Sequence, residues 1–211
     1  MKLYGSTNKQ SFNTLKLRAA LAEAGAAYEF VPVDLDKGEN KTPAYLAINP
    51  HGKVPTLTDG DFALPESNAI LWYIADSHPA SGLAPQNDGT PAALRARARV
   101  AQFVDFAQTT LYAAYVEWWV AALGDADARD PEAATAAIAK LHRGLGVLET
   151  VLAERPWIAT STFSIADLSN ASMVFALKRR LPDDPLARYE RVRAWYDRVS
   201  ARPSFAGALA R

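Results

Sequence analysis

No cysteine occurs among the 211 residues. That removes disulfides, thiolate metal sites and a cysteine nucleophile, so any thiol chemistry has to borrow its sulfur from a bound small molecule. Histidine is scarce too: His51, His78 and His142 are scattered along the chain and suggest no metal site. Net charge is absent, with 23 basic side chains balancing 23 acidic ones, and nothing in that balance argues for nucleic acid or an acidic membrane surface. The one basic run, Lys178-Arg179-Arg180, suits a helix C-terminus meeting its dipole. No apolar run approaches the ~18 residues of a membrane-spanning helix. The amino terminus carries a single lysine and then turns polar, unlike a secretory leader. These absences read as a cytoplasmic chain with no membrane or nucleic-acid partner. What is present is a 49% apolar content over a length sufficient for one large domain or two small ones.

Periodicity divides the chain. Lys2-Leu3-Tyr4 predicts a short strand, Leu15 to Ala24 a helix stopped by Gly25, and Tyr28 to Val33 a strand whose Pro32 suits an edge. A crossover of this length makes a right-handed parallel βαβ unit. Thr56-Leu57-Thr58 and Phe62-Ala63-Leu64 flank Asp59-Gly60, a two-residue hairpin signal. Pro65 to about Ser77 then predicts a helix. The outcome is an α+β, thioredoxin-like domain (βαβ-ββα) over residues 1–78. Residues 79–90, rich in proline, glycine and polar side chains, read as a linker. Residues 91–211 read as an all-α helical domain, with Ala92 to Leu123 one long pattern, kinked or split. In Pro131 to Glu154 the residues Ile138, Leu141, Leu145, Leu148 and Leu152 share one face. Ser164-Ile165-Ala166-Asp167 predicts a capping box, which accounts for Asp167 better than a catalytic role. A last helix is expected from Leu186 to Ala201, ended by Arg202-Pro203.

Two segments carry the chemistry. In Asn49-Pro50-His51-Gly52-Lys53-Val54-Pro55-Thr56-Leu57, Pro55 has to open a strand because it has no N–H to give to a central ladder. A cis Val54–Pro55 bond would leave the N–H and C=O of Val54 free to pair with an extended peptide-like ligand. Glu66-Ser67 opens the next helix, whose first N–H groups can bind a carboxylate. A tight turn followed by an ordinary helix cap accounts for the same residues.

Taken together these motifs resemble a cytosolic glutathione S-transferase along essentially the whole chain. Ser11-Phe12-Asn13-Thr14-Leu15-Lys16-Leu17-Arg18 is similar to the Ser-x-Asn-x-x-Lys-Val-Arg pattern of serine-dependent bacterial and fungal members. Gly38-Glu39-Asn40-Lys41-Thr42-Pro43-Ala44-Tyr45-Leu46 is similar to the loop that many members carry before Asn-Pro-x-Gly-Lys-Val-Pro. The resemblance implies a transferase that activates the thiol of glutathione, a co-substrate rather than a cofactor, for attack on a small hydrophobic electrophile. It further implies a homodimer in which the amino-terminal domain of one subunit faces the helical domain of the other. Val54, with Pro55 cis, would pair with the cysteinyl backbone. Glu66 would face the γ-glutamyl ammonium and Ser67 its carboxylate, while Lys41 and Lys53 would meet the glycyl carboxylate. Asn40 stands where relatives often carry histidine, so its contact to that carboxylate is weaker.

At the sulfur, Ser11 would donate its hydroxyl, with the Asn13 amide or the N–H groups of the helix end adding positive potential. Ser11 and Asn13 also suit a plain helix cap, Ser6 competes with Ser11 in the loop 5–11, and Tyr4 reads as core. The second substrate would lie against the first long helix of the bundle, where Tyr112, Tyr115 and Trp119 share a face. Those aromatics also suit core or a dimer contact. A glutathione-dependent disulfide reductase or peroxidase, and a non-catalytic glutathione-binding interaction module, are the competing functions.

Overall fold

The computed structural model describes residues 1–8 and 11–210. By compactness the chain divides into two units, Met1–Arg97 joined by the segment from Ser200 onward, and Ala98–Val199.

In the first unit, strands β1 (Lys2–Ser6), β2 (Glu29–Val33), β3 (Thr56–Asp59) and β4 (Phe62–Pro65) form one sheet in the order β2-β1-β3-β4. β1 and β2 are parallel and the other pairings antiparallel, so the expected βαβ-ββα order stands. Pro32 lies in the edge strand β2, where its missing N–H breaks no interior ladder. Helices α1 (Phe12–Glu23), α2 (Pro43–Ile48) and α3 (Ser67–Ser77) complete the layer. Leu3 and Leu57 face each other across the sheet with no exposure, and Leu17, Leu21, Ile70, Leu71 and Ile74 are equally buried on α1 and α3. The hairpin turns one residue later than the Asp59-Gly60 dipeptide suggests. Asp59 pairs with Phe62, so the loop is Gly60-Asp61, and Gly60 takes its first position at φ +61°.

The carboxyl-terminal reading needs correction. α8 spans Glu190–Ser200, and Arg202-Pro203 does not end the helical region, because Pro203 is the first residue of a further helix, α9 (Pro203–Ala210). Proline lacks an N–H that the first turn of a helix would leave unpaired anyway, so it starts a helix as readily as it stops one. α9 packs on α1 in the first unit. A clamp holds the two together. Arg202 Nε and an Nη donate to the two oxygens of Glu23 at 2.6 and 2.8 Å, and Ser204 Oγ donates to the same carboxylate. Burial works to raise the Glu23 carboxyl, but the bonds from Arg202 and Ser204 and the Arg202 charge together hold it below its ordinary value. A depressed carboxyl contributes stability that is present above its unfolded pKa and lost as pH falls through its folded pKa. Glu23→Gln is therefore expected to cost about 1 kcal/mol at neutral pH, kept small by partial exposure. Melting curves of both proteins should converge once the pH drops below the carboxylate range.

The second unit is helical throughout, as expected. The long pattern 92–123 is split by a π-helical stretch, Ala107–Tyr112, between α4 (Pro91–Phe106) and α5 (Ala113–Leu123). Two buried polar residues brace the turn ahead of it: Asn170 Nδ2 donates to the Phe103 carbonyl at 2.8 Å, and Ser169 Oγ reaches that of Val104 at 3.5 Å. α6 (Pro131–Glu154) buries Leu141, Leu145 and Leu148 of the anticipated stripe. Gly144 on α6 lets it approach closely, since a Cβ there would stand 2.6 Å from Leu111 Cδ2. α7 (Ile165–Arg180) starts with the capping box predicted at Ser164 and Asp167.

Candidate active site

Three chain segments meet at one end of the sheet in the first unit. The loop after β1 delivers Ser11 as the N-cap of α1, its Oγ 3.5 Å from the Thr14 N–H and 3.0 Å from Thr14 Oγ1. Lys9 and Gln10, in the middle of the loop 5–11, lie outside the described residues. Ser6, the competing hydroxyl, is buried and accepts from the Asn8 N–H at 3.0 Å. Tyr4 is half-buried, its ring edge-on to Tyr45 at 6.1 Å.

The second segment enters β3. The Val54–Pro55 bond is cis, and the residues on either side of it are tied down. Asn49 Nδ2 and Tyr45 Oη both donate to the Lys53 carbonyl at 2.7 Å, and both lie 3.0 Å from Thr56 Oγ1. Tyr45 and Asn49 are 6% and 1% exposed, so this bracing is internal. Burial chiefly raises the Tyr45 phenol, which therefore stays a donor. Asn40 spends its amide on the Gly52 carbonyl at 2.7 Å. Gly52 has φ +59°, and a Cβ there would meet Lys41 Nζ at 2.8 Å and the Asn40 carbonyl at 3.0 Å, so only glycine admits this approach. Lys41 and Lys53 are exposed, and neither is in an ion pair among the described residues.

The third segment is the start of α3. Glu66 is the N-cap, at φ +68° and ψ 107°, the one non-glycine residue with positive φ among those described. Backbone held in that region is maintained by its surroundings and concentrates at functional sites. Its side chain makes no capping bond to the first turn of α3. Ser67, 8% exposed, donates to Asn13 Oδ1 at 3.1 Å, which links α3 to α1. Beside it Lys16 Nζ donates to Asn68 Oδ1 at 2.7 Å, although Lys16 is only 1% exposed. Lys16 belongs to the motif 11–18, but its spacing alone does not place it at the site. A lysine flanked by Leu15 and Leu17 was the available signal.

Tyr112, Tyr115 and Trp119 belong to the second unit. Tyr112 ends the π-helical stretch, and stacks on Tyr115 at 6.4 Å, which in turn meets Trp119 at 6.2 Å. All three are half-buried, whereas Trp118 is 4% exposed and belongs to the core. The Arg180 guanidinium lies over Trp119 at 4.9 Å. Burial raises the Tyr115 phenol, against a partial opposing effect of Arg180. No group of three or more histidine, aspartate and glutamate residues that could hold a metal ion occurs among the described residues. No helix among them is long and apolar enough to cross a membrane.

Known proteins share this organisation. The family model for the glutathione S-transferase N-terminal domain matches residues 1–76, and that for the C-terminal domain matches residues 131–198. A probable glutathione S-transferase of Oryza sativa subsp. japonica is 35% identical over 208 residues, 97% of this chain and 93% of that protein. Glutathione S-transferase 3 of Zea mays is 35% identical over 219 residues, with 100% and 93% covered. Among solved structures, a sphingomonad glutathione S-transferase complexed with glutathione superposes with a TM-score of 0.83 at 34% identity, covering 100% of this chain and 98% of that one. With both domains matched in order and the full length aligned, the chain belongs to the glutathione S-transferase family.

Proposed function

We propose that this protein is a glutathione transferase whose first unit binds glutathione and lowers the pKa of its thiol for attack on a small hydrophobic electrophile. The observation that carries the reading is the Ser67–Asn13 hydrogen bond. It fixes, against the helix that Ser11 caps, a helix N-terminus whose N-cap side chain, Glu66, makes no capping bond, and such a helix start suits a carboxylate. With the Ser67 hydroxyl hydrogen committed to Asn13, the backbone N–H of Ser67 and the N–H groups after it in α3 hold the γ-glutamyl carboxylate, and Glu66 faces the ammonium. Val54, ahead of Pro55, pairs with the cysteinyl backbone as a short added strand. Lys41 and Lys53 attract the glycyl carboxylate, while Asn40 acts on the same loop through Gly52 rather than as a strong direct contact.

A free thiol near pKa ~8.5 is mostly protonated at neutral pH, and only the thiolate is a good nucleophile. Ser11 donates to the thiolate. Asn13, its oxygen occupied by Ser67, has its amide nitrogen left to add positive potential. Tyr112, Tyr115 and Trp119 present an aromatic wall to the electrophile. The active protein is a cytoplasmic homodimer.

Calorimetric titration with glutathione, repeated with glutathione disulfide and with a Glu66→Ala, Ser67→Ala double variant, tests this reading. Loss of the Ser67–Asn13 bond that fixes the start of α3, together with loss of the exposed Glu66–ammonium pair, is worth about 2 kcal/mol, so affinity should fall by about 30-fold in the variant. Tighter binding of the disulfide would point instead to reductase chemistry, in which glutathione supplies every thiol. Absence of binding by either ligand would sink the transferase reading.

A further inference from the structure

We infer that Thr14 is a positioning residue for the thiol chemistry: its hydroxyl donates to Ser11 Oγ and so commits the Ser11 hydrogen to the bound sulfur. This rests on the reading of Ser11 as the donor to that sulfur.

The direction of the Thr14–Ser11 bond is set by how many hydrogens and acceptor positions the two hydroxyls hold. Thr14 Oγ1 accepts from the Ser6 N–H at 3.2 Å and lies 3.0 Å from Ser11 Oγ. Thr14 is 4% exposed, and its hydroxyl has no third partner among the described residues. A hydroxyl carries one hydrogen and two acceptor positions. If Ser11 donated to Thr14, the Thr14 hydrogen would be buried with nothing to receive it, and an unmade buried bond costs more than a formed one returns. The favoured polarity therefore runs from Thr14 to Ser11. Ser11 Oγ then accepts from the Thr14 hydroxyl and, at a longer 3.5 Å, from the Thr14 N–H. Both its acceptor positions are filled and its single hydrogen has no partner among the described residues.

Two chemical consequences follow. A hydroxyl that can only donate has a partner in a thiolate but no acceptor to offer the S–H of a neutral thiol, so it discriminates between the protonation states. A hydroxyl that accepts is also polarised into a better donor. The seat of Thr14 is built into the sheet. A Cβ on Gly5 of β1 would stand 2.6 Å from Thr14 Cγ2 and 2.7 Å from Phe30 Cε2, so glycine at that point makes room for the threonine methyl.

Thr14→Val keeps the methyl and removes the hydroxyl, while Thr14→Ser returns it. The readout is the ultraviolet absorbance of the thiolate of bound glutathione, titrated against pH, with glutathione affinity measured separately at acidic pH. Thr14→Val is expected to raise the bound thiol's pKa by about one unit, a tenfold loss of thiolate below that pH. Affinity at acidic pH should be unchanged, and Thr14→Ser should restore the wild-type titration. Thr14→Ala is measured alongside, so that a folding defect in the valine variant does not remove the readout. Ser11→Ala separates the two levels of the inference. An unshifted pKa in both Thr14→Val and Thr14→Ala, with a raised one in Ser11→Ala, overturns the role of Thr14 alone. No shift in Ser11→Ala overturns the Ser11 reading and the role of Thr14 with it. A shift in Thr14→Val that serine does not restore assigns the effect to packing and also overturns the inference.

Discussion

Asp167→Ala should lower the unfolding free energy by about 3–5 kcal/mol, among the largest single-residue effects available in a domain of this kind. The carboxylate has no solvent exposure and receives four donors. Oδ1 accepts from the Ile158 N–H at 3.0 Å and from Trp195 Nε1 at 2.8 Å, while Oδ2 accepts from Ser164 N at 3.0 Å and Ser164 Oγ at 3.3 Å. The segment before α7, the N-cap of α7 and the core face of α8 therefore share one acceptor. Burial pushes the Asp167 carboxyl up, against the opposing effect of these four bonds. Alanine leaves the Ile158, Ser164 and Trp195 donors buried without a partner. The individual costs, ~1–3 kcal/mol each, are not additive because the loosened segment re-solvates some of them. Asn is the informative control: its single oxygen can keep two donors, but its amide hydrogens then face the other two, so an intermediate loss is expected. Chemical denaturation at equilibrium, comparing midpoints at constant slope, measures both.

Ser11→Ala is expected to reduce kcat/KM toward a soluble electrophile by about 100-fold, the scale seen when a preorganised donor to a developing or stable anion is removed. The loss should appear in kcat rather than in glutathione affinity, because the carboxylate and backbone contacts proposed for Ser67 and Val54 are untouched. The rate at high pH should recover, since a thiol that the protein no longer ionises is ionised by the solvent instead. Alanine also removes the N-cap of α1, but that bond is already long at 3.5 Å, so only a small stability change is expected. A pH–rate profile that is merely scaled down, with its acidic limb unmoved, would contradict thiolate stabilisation by Ser11.

Much of this was legible in the chain itself, for identifiable reasons. Pro32 announces an edge strand because an imino acid cannot serve an interior ladder. Ser164 and Asp167 announce a capping box because the chemistry that satisfies them lies within four residues. The hairpin was visible from its glycine, yet its register slipped by one residue, since a turn dipeptide names the bend and cross-strand packing chooses the pairing. Arg202-Pro203 misled because proline at the first helical position looks the same, in sequence, as proline that stops a helix. Only the clamp of Arg202 and Ser204 on Glu23, far away in the chain, reveals that α9 has something to dock against.

Local sequence determined the elements, the order of the two domains and the identities of Ser11, Val54, Pro55, Glu66 and Ser67 as site candidates, because each depends on backbone preferences and side-chain chemistry acting over a few residues. Tertiary structure alone decided the partnerships. That Asn13 is bound by Ser67, that a buried Lys16 reaches Asn68, that Asn40 spends its amide on Gly52, and that Thr14 sits between Ser6 and Ser11 with its methyl over Gly5 are all contacts made across the fold. Hydrogen-bond polarity depends on which donors and acceptors remain once every neighbour is placed, and no local window of sequence contains that count.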